Sequence, residues 1–321
     1  MTMKVAVIGA GLSGLTLSKE LQKKGLSVDI FDKARGVGGR MSSRRTSWGY
    51  IDHGTQYFTV KHPLFQEFLQ DYDSVISVWE GKFARWQEGK LTPILPENPR
   101  YVASVGMNNL CKSMGLEVRL QTRIMGLEKS TFWTLIDDNG QKYSDYNFVV
   151  VTAPPAQTYD LLKSHSNIAS SIESLNMYAC FSLMMIPATK VNLSFDGVEF
   201  PQHPVLGWVA MNDSKPWRGE KGAIVMQSNF GWAEDNLEEN RDVLTEIMKK
   251  NTEDIFKVKF GENLYESLHL WRYALPVRSN EKGYYLDEDN GIGVCGDWCL
   301  KGKVESAFLS SYYLAEKLSN L

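Results

Sequence analysis

The sequence predicts an α/β protein: a Rossmann-like dinucleotide-binding domain assembled from separate stretches of chain, plus an α+β domain built on an antiparallel sheet. Three observations carry this reading. A short apolar run, Lys4 to Ile8, leads into glycines at 9, 11 and 14 and then a leucine-rich segment, so strand, tight turn and helix follow one another. From about Gln157 to Asn290 the pattern changes to β-rich segments with aromatic patches. After that, "GIGVCGDW" restores a short buried strand and "KVESAFLSSYYLAEKL" a helix, so the first domain is expected to close at the end of the chain.

Taken in order, the first helix carries Leu15, Leu17 and Leu21 and stops at "KKG". Lys23 and Lys24 suit the negative end of the helix, and Gly25 permits the stop. "SVDIFD", Ser27 to Asp32, is the next strand and completes a βαβ unit. "LEVRLQTRIMGLE" and "TFWTLIDDNGQKYSDYNFVVVTAPP" predict further strands around an Asp-Asn-Gly turn, ending in the run Phe148 to Thr152 before two prolines. A polar amphipathic helix is expected near Leu237 to Lys250. In the last helix Val304, Phe308, Ser311, Ala315 and Leu318 share one face. The chain accordingly divides into a dinucleotide-binding domain of residues 1–60, 100–156 and 286–321, and a substrate domain of 61–99 and 157–285.

Composition narrows the function. With 321 residues and 43% hydrophobic content the chain can bury a substantial core. A formal charge of −3 gives no electrostatic reason to expect a nucleic-acid partner, so phosphate recognition must be local. No apolar run approaches the roughly 18 residues that span a membrane. The apolar start turns into glycines instead of a cleavage site, which predicts a cytoplasmic location without a membrane span. Cys111, Cys180, Cys295 and Cys299 are too scattered for a disulfide framework or a zinc site, so buried thiols and no metal are expected.

Gly9-Ala-Gly11-Leu12-Ser13-Gly14 has the spacing of a dinucleotide fingerprint. The first glycine allows the turn, the second lets backbone amides approach a pyrophosphate, and the third permits close helix packing. The positive helix end then faces the phosphates. Asp32, at the end of the second strand with Lys33 beside it, can accept hydrogen bonds from ribose hydroxyls and would repel a 2′-phosphate. That favours FAD or NAD over NADP.

Two further stretches favour FAD. The "GGR" of Gly38, Gly39 and Arg40 resembles the segment after the second strand in flavoprotein oxidases of the amine-oxidase superfamily, and Gly296-Asp297 resembles the Gly-Asp near their C-terminus. In that superfamily the carboxylate lies near ribityl and pyrophosphate oxygens, and the following helix, here starting near Val304, points at the flavin's pyrimidine edge. Such a dipole favours the negative charge that hydride transfer brings to the ring.

More narrowly, "GGRMSSRR", "DHGTQYFT", "WVAMNDSKPWR" and "LWRYALP", in this order, resemble the renalase family over nearly the whole chain. Renalases are FAD flavoproteins that oxidise the 2- and 6-dihydro isomers of NAD(P)H to NAD(P)+ by hydride transfer to flavin N5, and pass the electrons to dioxygen or a quinone-like acceptor. The resemblance implies non-covalent FAD held by Ser13, Asp32, Arg40, Gln56, Tyr57 and Asp297. It also implies a backbone contact from Ile124 to adenine, and a turn at Met107 in "VGMNNL" near the flavin. Tyr57, Phe58 and Thr59 would lie on the substrate side of the ring, with His53 the one histidine in the candidate site.

Monoamine-type oxidases carry an "S-G-Y-x-E-G-A" segment whose tyrosine cages the amine; here the matching stretch is Lys301 to Ala307, and Lys303 replaces that tyrosine. An ammonium there loses a cation–π partner and meets a like charge, an effect of ~1 kcal/mol or more. An FAD-dependent amine oxidase or another small-molecule oxidase stays as the alternative, together with a non-catalytic flavin-binding redox sensor and a flavin-free NAD-dependent dehydrogenase. Arg44, Arg45 and Trp271 are open between surface or core roles and substrate contact.

Overall fold

The structure, a computed structural model, describes residues 3–321. Strand β1, Lys4–Ile8, alternates cleanly: Val5 and Val7 face one hydrophobic cluster, Ala6 and Ile8 the other. A strand buried on both faces needs cover on both sides. Helix α1, Leu12–Lys23, and the C-terminal helix Val304–Leu318 cover the first face through Leu15, Leu17, Leu21, Phe308, Leu314, Ala315 and Leu318. A three-stranded antiparallel sheet, Ile124–Lys129, Trp133–Asp137 and Lys142–Tyr146, covers the second through Leu127, Trp133, Leu135 and Tyr146.

Between these layers lies a five-stranded sheet in the order Tyr285–Asp287, Ile292–Val294, Phe148–Val151, β1 and β2, the last being Ser27–Phe31. Only its outermost pair, Tyr285–Asp287 on Ile292–Val294, is antiparallel. The returning C-terminal strand and helix therefore sit where the sequence places them.

The second layer system is a seven-stranded sheet running Asn263–Pro276, Met177–Pro187, Ile224–Ser228, Leu206–Met211, Gly197–Glu199, Phe83–Gln87 and Lys90–Ile94. One pair, Gly197–Glu199 with Phe83–Gln87, is parallel, so this sheet is mixed where an antiparallel one was expected. The amphipathic helix covering it spans Arg241–Phe256 rather than 237–250. Asn240 sets its start by accepting hydrogen bonds from Asp242 and Val243 amides.

A strand over all of "LEVRLQTRIMGLE" is also corrected. Only Ile124 onward pairs with Trp133–Asp137, whereas Arg119 bridges to Phe31 and Gln121 takes a left-handed conformation, φ 54°. This stretch instead follows the end of β2, with Asp32 N–H donating to the Arg119 carbonyl at 3.0 Å and Thr122 N–H to the Asp32 carbonyl at 2.9 Å.

Helix α2, Pro63–Gln70, locks onto the C-terminal helix by ring contacts of Phe308 with Phe65 (5.2 Å) and Phe68 (4.7 Å). Phe308→Ala should cost about 3–5 kcal/mol by leaving a cavity at this joint. Urea unfolding followed by circular dichroism checks the value; a loss below 1 kcal/mol would contradict the packing described.

Candidate functional site

The fingerprint glycines act by close approach. A Cβ at Gly14 would run into the Gly9 carbonyl, so α1 can start directly behind the β1 turn. No side chain caps α1, whose N-cap is Gly11, leaving its first amides pointing outward. Asp32 fastens the turn: one carboxylate oxygen accepts from Ala10 N–H at 2.6 Å, the other from Ala34 N–H at 2.7 Å.

Gly38 and Gly39 both have positive φ, 118° and 52°, and bring the next segment back over the fingerprint. The Gly38 amide donates to the Ala10 carbonyl at 2.9 Å. Arg40, immediately after, points to the far end of the chain: Nη1 donates to Asp297 at 2.8 Å, and Nη2 pairs with the other oxygen of the same carboxylate. Strands β3, Ser43–Thr46, and β4, Gly49–Asp52, then form a hairpin leading into Asp52-His53-Gly54-Thr55-Gln56.

These parts enclose a cavity of about 750 Å³. That size belongs to a cofactor or small-molecule site. Gly9, Gly11, Leu12, Ser13, Asp32, Lys33, Gly39, Arg40, Ile124, Asp297 and Val304 all line it, as do His53, Trp271 and Lys303. The C-terminal helix also meets the cavity with an uncapped start, at Lys303 and Val304. Two helix N-termini, of 12 and 15 residues, thus face one space. Their unsatisfied amides and dipoles suit two separate electron-rich groups of one elongated ligand. A dinucleotide has that form.

Other expected residues stand back from the wall. Gly14 is buried behind the turn. Phe58 packs in the core against Phe65 and Tyr101, and Thr59 lies just beyond it in the loop. Tyr57 stacks under the Arg100 guanidinium at 4.3 Å, beside Trp208. Met107 is fully buried and uses its backbone N–H on Asp52 at 3.0 Å. The Gln56 amide is also turned inward, donating to the Asp52 carbonyl at 2.6 Å and accepting from Lys215 at 3.0 Å.

Asp52, Lys215 and Arg218 form the polar centre that sequence reasoning missed. Their side chains have 0% exposure. Asp52 accepts from Lys215 at 3.1 Å, Arg218 at 2.7 Å and Ser43 at 2.6 Å, besides the Met107 amide. Burial pushes the carboxyl upward, but Lys215 and then Arg218 outweigh it and hold Asp52 at about 2. Burial lowers Lys215 to about 8 against the pull of Asp52. "DSKPWR" reads as a surface turn by local rules; the available signal was one carboxylate in "YIDHG" and two cations in "SKPWR".

At the cavity wall, His53 stacks on Trp271 with ring centres 5.2 Å apart and meets His269 edge-on at 4.9 Å. Burial, then His269 and Arg44, lower His53 to about 3, so it is an uncharged imidazole at neutral pH. Arg45 is exposed, whereas Arg44 is partly buried near both histidines. All four cysteines are buried free thiols. Among the described residues no helix is long and apolar enough to cross a membrane.

Residues 7–72 match the model of an NAD(P)-binding Rossmann-like domain. Over 67 residues the chain is 37% identical to hydroxyneurosporene desaturase of Rubrivivax gelatinosus, which is 21% of this chain and 13% of that protein. Over 70 residues it is 29% identical to L-amino-acid oxidase of Crotalus adamanteus, 22% of this chain and 14% of that protein. The curated relatives are thus matched over a small part of their length. The fold is shared along the whole chain with a protein described as a protoporphyrinogen oxidase from Exiguobacterium sp. 255-15, with TM-score 0.82, 12% identity, and coverage of 100% and 99% of the two chains. It is shared too with putrescine oxidase bound to putrescine, with TM-score 0.73, 12% identity and full coverage of both chains.

Asp52→Asn leaves two buried cations facing a neutral amide and should cost about 3–5 kcal/mol, measured by denaturant unfolding at pH 7. Acid should act first on the buried histidines, since burial lowers His53, His269 and His203 alike, His53 to about 3. The folded ring titrates near 3 and the unfolded one near 6.5, so the unfolded chain takes the proton first and stability falls as pH drops from about 6.5 toward 3. Asp52 adds a second loss between 3.8 and about 2. His53→Gln should make the first part of the unfolding-midpoint profile shallower, with His269 and His203 supplying the slope that stays; an unchanged profile would refute the assignment.

Proposed function

We propose that this chain is an FAD-dependent oxidoreductase that oxidises a small organic molecule by hydride transfer. The observation carrying the reading is the single cavity faced by two uncapped helix N-termini and bridged by Arg40 and Asp297. The fingerprint amides and α1 would hold the pyrophosphate, and Asp32 the adenosine ribose. Ile124 would lie against adenine, and Val304 and the last helix would face the far ring. None of the buried thiols lines the cavity, which supports non-covalent attachment. Bound FAD would supply the two-electron acceptor, with dioxygen or a quinone-like compound taking the electrons onward. The division at residues 61–99 and 157–285 belongs to the same proposal, with the second unit roofing the reacting end.

The likeness to putrescine oxidase and the stretch shared with L-amino-acid oxidase favour the broad reading, a small-molecule oxidase of amine-oxidase type. A renalase-like narrowing, to dihydro isomers of NAD(P)H, is favoured by the charge of the reacting wall. Lys303 and Arg272 line it. Of the lining carboxylates, Asp297 is engaged by Arg40, Asp32 by backbone amides and Asp160 by Lys163. In either reading the chain's part is orientation, with Trp271, His53 and Thr55 on the cavity wall beside the substrate plane.

The purified protein should be yellow. Mixed without oxygen with 2- or 6-dihydronicotinamide dinucleotides, it should bleach within seconds, and with putrescine or benzylamine far more slowly. Faster bleaching by amines would replace the narrow reading with the broad one. A colourless protein that cannot be loaded with FAD would sink both.

A further inference from the structure

Just after β4 the chain runs as a narrow strip whose successive carbonyls are each met by a side-chain donor. Gln56 Nε2 donates to the Asp52 carbonyl at 2.6 Å, the Trp271 indole N–H to the His53 carbonyl at 2.8 Å, and Gln227 Nε2 to the Gly54 carbonyl at 2.7 Å. Trp271 and Gln227 belong to two strands of the seven-stranded sheet, Asn263–Pro276 and Ile224–Ser228. The second sheet therefore holds the backbone that carries His53 and Thr55 to the cavity wall.

The strip passes this hold to Arg40. Thr55 donates twice to the Arg40 carbonyl, from N–H at 2.9 Å and from Oγ1 at 3.2 Å. A Cβ at Gly54 would stand 2.0 Å from that same oxygen and 3.2 Å from the Trp271 indole ring, so strip, Arg40 and Trp271 have no room to shift independently. The Arg40 guanidinium then reaches the cavity, where Nη1 meets Asp297 at 2.8 Å and the Ala274 carbonyl, on the strand of Trp271, at 3.4 Å. Gln227 itself is half-buried and stands outside the cavity lining. Any effect it has on an occupant must travel through the strip.

We infer that Gln227 is a positioning residue for the cofactor: by donating to the Gly54 carbonyl it sets, through Thr55, where the Arg40 guanidinium stands at the cavity wall. This rests on the FAD-dependent reading of that cavity. The chemistry at position 227 is demanding, because the His53 carbonyl lies 3.4 Å from the same Nε2 and two acceptors thus face one side chain. A donor is required there; an apolar side chain leaves the Gly54 carbonyl short of a partner, and a carboxylate of the same size repels it. A guanidinium fork bonds directionally, so a small displacement of Arg40 is felt by whatever it holds.

Titration with FAD, followed by quenching of flavin fluorescence and run beside circular dichroism, tests the strut without turnover. Gln227→Leu should keep the circular dichroism spectrum and bind FAD about tenfold more weakly than the unaltered protein, the effect of one lost hydrogen bond. Gln227→Glu supplies a readout that a purely structural role would not move. At pH 8 its ionised carboxylate opposes the Gly54 carbonyl, and FAD should bind about tenfold more weakly. At pH 5 the protonated carboxyl donates in place of the amide, and affinity should return to within about threefold of the unaltered protein at the same pH. An unchanged dissociation constant in Gln227→Leu, or a ratio for Gln227→Glu that does not move with pH, would each overturn the inference. Should Gln227→Leu not fold, the pH series on Gln227→Glu decides alone. An unaltered protein that takes no FAD fails the cofactor reading and the strut with it, whereas equal FAD binding by all three proteins fails the strut only.

Discussion

The Asp52 carboxylate is the constraint on which the site depends. It stands at the end of β4 with no access to water and is the meeting point of Ser43, the Met107 amide, Lys215 and Arg218. Three stretches far apart in sequence are brought together there. A buried ion pair is weak evidence for stability, since desolvation offsets much of its attraction. Its geometric effect is strong: two cations and one anion leave a net positive charge, which the Gln56 amide oxygen and the Ala103 and Pro216 carbonyls meet by accepting from Lys215 and Arg218. The residues directly after Asp52 carry His53 and Thr55, and Thr55 N–H donates to the Arg40 carbonyl at 2.9 Å. The position of Arg40 over the cavity is therefore set partly by an ion cluster that never touches it.

Much of the first domain was legible because its signals are local. Glycine spacing, an apolar strand and a stop at Gly25 specify a βαβ unit without reference to the rest of the chain, and Asp32 follows from that unit. Gly296-Asp297 became informative through its place near the C-terminus. Gln56, Tyr57, Phe58 and Met107 are a different case. Their segment was found, but resemblance does not say which way a side chain turns, and tertiary packing sends all four away from the cavity lining. Lys215 and Arg218 were illegible for the opposite reason: lysine and arginine beside a proline look solvated until a carboxylate some 160 positions away is known to face them. The helix shifted from 237 to 241 shows the usual weakness at boundaries, where Asn240 competes with the charged residues before it.

Charge is distributed along the cavity in a way that composition conceals. The whole chain carries a formal −3, yet Lys33, Arg40, Arg123, Arg272 and Lys303 line this one space against Asp32, Asp160 and Asp297. Asp297 is matched by Arg40 and Asp32 by amides, so the remaining field is positive, and both helix ends reinforce it. An anionic or electron-rich occupant is favoured along the whole length.

The bond from Arg40 to Asp297 joins residues 257 positions apart, and the last strand of the first sheet and the helix behind it come from the final 30 residues. During synthesis β1, α1 and β2 emerge well before the helix Val304–Leu318 that covers them and the Asp297 that receives Arg40. Such long-range closure is slow and leaves apolar surface open in the meantime. The cavity is closed only once Asp297 and the helix behind it have joined the strands that residues 4–31 supply.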